Sequence, residues 1–216
     1  MPRCLYPYFV AKVTRIYLAR HGQTVTNREG RFCGHAETEL TDLGVEQSRA
    51  LAVRLERAPI TACYTSDFTR AIRTAAVALG ERGVAPRPDP DLRELHYGEW
   101  ELERESAIRK RYPEQHRLMR EEDPAWRPPG GESVAEVRQR TSRALGRIVH
   151  AHKGREVLVV SHGTAINCLL STVLGMPESH VFRLDVTNCA LTEIEERAGR
   201  LYVVRLNDSS HLAGLS

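Results

Sequence analysis

The sequence predicts an α/β fold: a three-layer α/β/α sandwich with a mostly parallel central sheet and an irregular, partly helical lid. Three observations carry that expectation. Short β-branched runs alternate with helical stripes along most of the chain. Residues 157–160 are apolar at every position, the pattern of a parallel strand buried on both faces. The chain has 216 residues, 41% of them apolar, which is enough for one sizeable core.

Element by element, residues 1–14 read as an N-terminal arm ahead of a single domain at 15–216. Arg15-Ile-Tyr-Leu-Ala19 is the first strand, and Arg20-His21-Gly22 must turn the chain away from it. Thr41 caps the next helix, on which Leu43, Ala50, Leu51 and Leu55 share a face. Residues 60–64 form a second strand. Ile72, Ala75, Ala76 and Leu79 then repeat at i, i+3, i+4 and i+7, the stripe of a packed helix with Arg70 at its start.

Residues 81–131 differ in character, holding most of the prolines, both tryptophans and many charges. They predict an irregular excursion whose part at about 96–131 is a lid. Ser133-Val-Ala-Glu136 is a capping box, and Val137, Thr141, Ala144, Leu145 and Ile148 are the stripe of the helix it opens. The apolar strand ends at Ser161-His162-Gly163 and a helix at 164–174 follows. Residues 191–194 and 201–206, joined through Ala198-Gly199, close the chain as a hairpin.

Composition excludes several functions. The net charge is +3, too small for wholesale nucleic-acid binding. No run qualifies as a membrane span, and residues 1–10 lack the apolar core of a secretory signal. Five cysteines, an odd number with no CxxC pair, argue against a disulfide framework or a cysteine zinc site. The expectation is a cytoplasmic protein without cofactor, metal, nucleic acid or membrane partner. The oligomeric state is left open, a homodimer included.

The chemistry sits at two strand ends that share one device, Arg20-His21-Gly22 and Ser161-His162-Gly163. In open α/β sheets ligands bind off the carboxyl ends of the strands. Arg70, just past the second strand, occupies an equivalent place to Arg20. Two histidines and two arginines around one point suit a dianionic tetrahedral oxyanion, most simply phosphate. Taken alone, either His-Gly pair reads as an ordinary loop histidine.

Leu18-Ala-Arg20-His21-Gly22-Gln23-Thr24 with Asn27 resembles the signature of the histidine phosphatase superfamily, the phosphoglycerate mutase-like proteins. The resemblance continues through Thr65-Ser66-Asp67-Phe68-Thr69-Arg70-Ala71 and Leu92-Arg93-Glu94-Leu95. Tyr97-Gly98-Glu99-Trp100, Pro129-Gly-Gly-Glu-Ser133 and Val160-Ser-His162-Gly163 complete it, over about 15–206. It implies that His21 is the nucleophile that becomes phosphohistidine. It further implies that Arg20, Arg70, His162 and Asn27 bind phosphate, that Gly163 offers its backbone N–H, and that Glu94 donates and accepts the proton. In that scheme a protonated His162 helps neutralise the phosphoryl oxygens, while the same cations keep His21 unprotonated. Glu94 is an acid in the first step and a base in the second. The chain departs from the family pattern at Cys33-Gly34, where many relatives have Gln-Gly, and at Trp100-Glu101-Leu102.

Rival readings are weaker. No cysteine heads a Cys-x5-Arg motif, and Walker, GxGxxG and G-x-S-x-G patterns are absent. His150-Ala-His152 is a possible metal pair, although at a helix end solvent-facing histidines are the commoner arrangement. A pseudo-enzyme would have lost His21 or Glu94, and both are present.

Within the family the choice is phosphatase or mutase. A mutase needs extra cations in a long lid for a second phosphate. The segment from Glu94 to His162 is short for that, and its cations Arg104, Arg109, Lys110 and Arg111 read equally as a solvated cluster. The pattern is closer to the broad-specificity and α-ribazole-phosphate phosphatases, so the expected substrate is a small phosphomonoester. Trp100, Leu102, Tyr112, Met119 and Trp126 either line an apolar entrance or pack the excursion.

Overall fold

The structure, a computed structural model, describes residues 13–215. Its core is a six-stranded sheet in the order β3-β2-β4-β1-β5-β6. The strands are β1 (Thr14–Arg20), β2 (Ile60–Thr65), β3 (Pro86–Pro88), β4 (Glu156–Ser161), β5 (Leu191–Arg197) and β6 (Arg200–Asp208). The first four in that order run parallel, β5 runs antiparallel to β1, and β6 runs antiparallel to β5. The α/β prediction therefore holds, with the hairpin at one edge. Ala198 and Gly199 both take positive φ, 50° and 81°, as a two-residue hairpin turn demands.

Helices cover both faces. α2 (Asp42–Arg54) and α3 (Thr69–Leu79) bury Leu51, Leu55, Ala71, Ala75 and Leu79 against Tyr17, Cys63 and Leu158. α6 (Val134–Ala151) and α7 (Gly163–Val173) lay Ala144, Ile148, Ile166 and Leu170 on the other face, against Ile16, Leu18, Val157 and Val159. Strand β4 thus has side chains buried on both sides, which is why its sequence shows no polar alternation. The short helix α1 (Val25–Glu29) and α2 start at Thr24 and Thr41, and α6 starts at the Ser133–Glu136 capping box.

The expected arm falls outside the described residues apart from its last two positions. Thr14 already belongs to β1, so the sheet begins one residue earlier than expected. The excursion carries α4 (Glu105–Arg111) and α5 (Pro113–Arg120) and packs as a third cluster. Leu95, Trp100, Ile108 and Trp126 close there on Val137, Ala165 and Val181. Strand β3, not anticipated, lies inside the same proline-rich stretch. Among the described residues no helix is long and apolar enough to cross a membrane.

Candidate active site

Strands β1 and β4 are adjacent and parallel, with Arg20 level with Ser161. The residues that follow them are therefore brought side by side: the His21 and His162 rings lie 5.0 Å apart. Both are buried, at 4% and 0% exposure. Nδ1 of His21 is 2.8 Å from the Gly22 carbonyl. A carbonyl can only accept, so Nδ1 carries the proton and Nε2 is left with its lone pair. Burial first, then the Arg70 and Arg20 guanidinium groups, hold His21 well below the usual histidine range.

His162 meets the protein through both nitrogens. Its Nδ1 accepts from Arg70 Nε at 3.2 Å and its Nε2 is 2.6 Å from the Ser66 hydroxyl. Burial and the Arg70 charge push it down as well. Between the Arg70 donor and the Ser66 hydroxyl His162 is neutral, and the protonated form that the resemblance implies belongs to the phosphate-bound state. A protonated state needs an anion to offset the two arginines.

Arg70, 1% exposed, stacks on Phe68 with its guanidinium 4.6 Å from the ring centre. Its Nη1 donates to the Ala36 carbonyl at 2.9 Å and its Nη2 to that of Gly34 at 2.6 Å. That loop is in turn held by Glu101, whose Oε1 accepts from His35 N at 2.7 Å. Gly34 has φ +54°, and a Cβ there would stand 2.3 Å from Glu101 Oε1. Arg20 is tied by Nη1 to the Val186 carbonyl at 2.6 Å, and its buried Nε has no protein partner.

Glu94 caps α7 from outside the helix. Its carboxylate accepts from Leu95 N at 2.8 Å, Ala165 N at 3.1 Å and Thr164 N at 3.2 Å. His162, the N-cap residue, makes no side-chain capping bond, so Glu94 fills that role. Asn27 closes the other side. Its Oδ1 accepts from Thr24 N at 3.2 Å and from Asn188 Nδ2 at 3.3 Å, and the same Asn188 nitrogen donates to the His21 carbonyl at 2.8 Å.

All seven expected site residues, Arg20, His21, Asn27, Arg70, Glu94, His162 and Gly163, line one cavity of about 320 Å3. Ser66, Glu101 and Asn188 support it and were not assigned roles from sequence. Asn188 lies in a loop with no motif to mark it. Cys33 lines the cavity too, and burial pushes its thiol up while Sγ donates to the Ala36 carbonyl at 3.3 Å.

Other expectations resolve differently. Trp100 and Trp126 are packed core, their rings 5.8 Å apart, and none of the five candidate entrance residues lines the cavity. Arg104, Arg109, Lys110 and Arg111 are exposed and do not line it either. His152, expected at the surface, is buried at 9% exposure, with Nε2 3.0 Å from the Tyr64 hydroxyl, whereas His150 is exposed. The two are thus committed to different surroundings.

Comparison with known proteins finds relatives over most of the chain. The model of the histidine phosphatase superfamily (branch 1) matches residues 16–209. A curated relative from Serratia proteamaculans, named "Probable phosphoglycerate mutase GpmB", is 36% identical over 183 residues, 85% of each chain. Among solved structures, Bacillus stearothermophilus YhfR superposes with a TM-score of 0.89 at 33% identity, over 92% of this chain and 99% of its own. The α-ribazole phosphatase from Shigella flexneri superposes with a TM-score of 0.83 at 27% identity, over 90% of this chain and 96% of its own.

Proposed function

The chain belongs to branch 1 of the histidine phosphatase superfamily, and from that premise we propose that it hydrolyses a small phosphomonoester through a phosphohistidine on His21. One observation carries the reading. The bare Nε2 of His21 shares a cavity with Arg20, Arg70, His162 and the Glu94 carboxyl group.

The steps balance within that set. Nε2 attacks phosphorus as the ester P–O bond breaks, and Glu94 in its acid form protonates the departing alkoxide. Water then attacks the phosphorus, the N–P bond breaks, and the Glu94 carboxylate takes the water proton. Arg20 and Arg70, preset by the Val186, Ala36 and Gly34 carbonyls, face the phosphoryl charge without reorganising. His162 can accept a proton once the dianion is bound. No step calls for a metal, and the reducing, cytoplasmic setting proposed with this reading suits the free thiols of Cys33, Cys63, Cys168 and Cys189.

A mutase is the second reading, favoured by the name of the Serratia relative. It needs cations for a second phosphate, and the four lid candidates are exposed and none of them lines the cavity. That supports hydrolysis over transfer. Rapid quench with labelled substrate tests the proposal: an acid-labile, base-stable phosphoenzyme is expected from the wild type and is lost in His21→Ala. Label retained by His21→Ala overturns it. Transfer of the label to a phosphoglycerate acceptor in preference to water selects the mutase.

A further inference from the structure

Two buried polar atoms bordering the cavity have no protein partner, Arg20 Nε and Asn167 Oδ1. They have opposite requirements. The arginine nitrogen is a donor and suits a phosphoryl oxygen. The amide oxygen is an acceptor, repelled by a dianion, and needs a donor from another part of the ligand. Its orientation is set by Nδ2, which donates to the Leu184 carbonyl at 2.7 Å, so oxygen and nitrogen cannot exchange places without losing that bond.

Asn167 is 7% exposed and stands one helical turn beyond Gly163 on the cavity side of α7. Four residues along a helix is about 6 Å, so the amide stands about that far along α7 from Gly163 while both residues line the same cavity. The cavity lining also includes two acids, Asp185 and Glu105. Arg31, a cation of the same lining, is already held by Glu29 at 2.7 Å and by the Leu102 carbonyl at 2.9 Å.

Resting on the phosphatase reading above, we infer that Asn167 selects phosphomonoesters of polyhydroxy alcohols, a substrate hydroxyl donating to its Oδ1. A bare alkyl chain leaves that acceptor unmet. A carboxylate in the same place meets an acceptor and two acids.

The test compares glycerol 1-phosphate, propyl phosphate and 3-phosphoglycerate on the wild type and on Asn167→Ala, with p-nitrophenyl phosphate as a general phosphatase probe. The wild type is expected to favour glycerol 1-phosphate over propyl phosphate by about tenfold or more in kcat/KM, because a buried acceptor discriminates against the analogue lacking the hydroxyl. Asn167→Ala should bring that ratio towards one, whatever loss the two esters share. Equal wild-type turnover of the two overturns the inference without recourse to the variant. So does a preference for 3-phosphoglycerate, or a ratio that survives in Asn167→Ala. Failure to hydrolyse any of the four esters overturns the phosphatase reading, and the inference with it.

Discussion

Arg70 donates its Nε–H to Nδ1 of His162 at 3.2 Å, which leaves the proton of the second imidazole on the Ser66 side. A guanidinium cannot lose its proton, so the contact works only with a neutral His162. The residue is therefore a proton acceptor in reserve until an anion enters. Arg70→Lys keeps the charge but loses the fork that also holds the Gly34 and Ala36 carbonyls.

Stability should fall on the acid side. Both site histidines are held well below the usual range in the folded chain, whereas unfolded histidines take up protons near pH 6.5. Below that pH the unfolded state binds more protons. The contribution is thus complete above about 6.5 and is lost as pH falls, by up to roughly 1.4 kcal/mol per histidine per pH unit. Denaturant titrations at pH 5.5 and 7.5 measure this. A His21→Asn, His162→Asn double variant should show a shallower fall, and an unchanged slope refutes the assignment.

Glu94 has two roles that substitution separates. Glu94→Gln keeps an oxygen for the α7 N–H groups but cannot shuttle a proton, so alkyl phosphate turnover should drop roughly 10²–10⁴-fold. With p-nitrophenyl phosphate the first step needs no acid, and a burst of p-nitrophenol should precede slow turnover. Glu94→Ala should in addition cost about 1 kcal/mol, the usual value of a lost helix cap. Full turnover of an alkyl phosphate by Glu94→Gln excludes the proton role.

Gly34→Ala tests the support of Arg70. A methyl group at φ +54° is strained and meets Glu101 Oε1, so the loop must move and take two carbonyls from the guanidinium. A loss of about 1–3 kcal/mol in stability is expected. A raised KM for phosphate esters should accompany it. Wild-type stability and KM together place the loop outside the site.

Chelation should have no effect. The positive charge facing the substrate comes from Arg20 and Arg70, and the proposed steps use only side chains. Activity after dialysis against excess EDTA should equal that before. A loss restored specifically by zinc or magnesium assigns the chemistry to a metal.

The legible parts of this site are those that local sequence writes down. The His-Gly turns after β1 and β4 sit where apolar runs stop, so the position of His21 and His162 follows from periodicity and the rule for parallel sheets. Glu94 needed the family resemblance, because nothing local separates it from a solvated carboxylate beside Arg93. Asn188 and Asn167 were illegible, since their roles depend on a loop and a helix face meeting across the sheet end. The neutral form of His162 is not legible in the sequence either, because it depends on Arg70 Nε meeting Nδ1 across the strand ends. The tryptophans read ambiguously because an aromatic in an irregular segment has no period to show which way it faces.

Strand β3 has a consequence for self-association. Asp89 N–H bonds to the Thr65 carbonyl, so alternate residues of this strand point their backbone groups inward and Pro86 and Pro88 point theirs outward. Proline has no N–H, and this rim of the sheet therefore offers no donor at either position to an approaching strand. The opposite rim, β6, is nine residues long with Tyr202, Val204 and Leu206 exposed. Edge-to-edge templating, the route by which partly folded chains aggregate, is thus blunted on one side of the molecule and confined to the other.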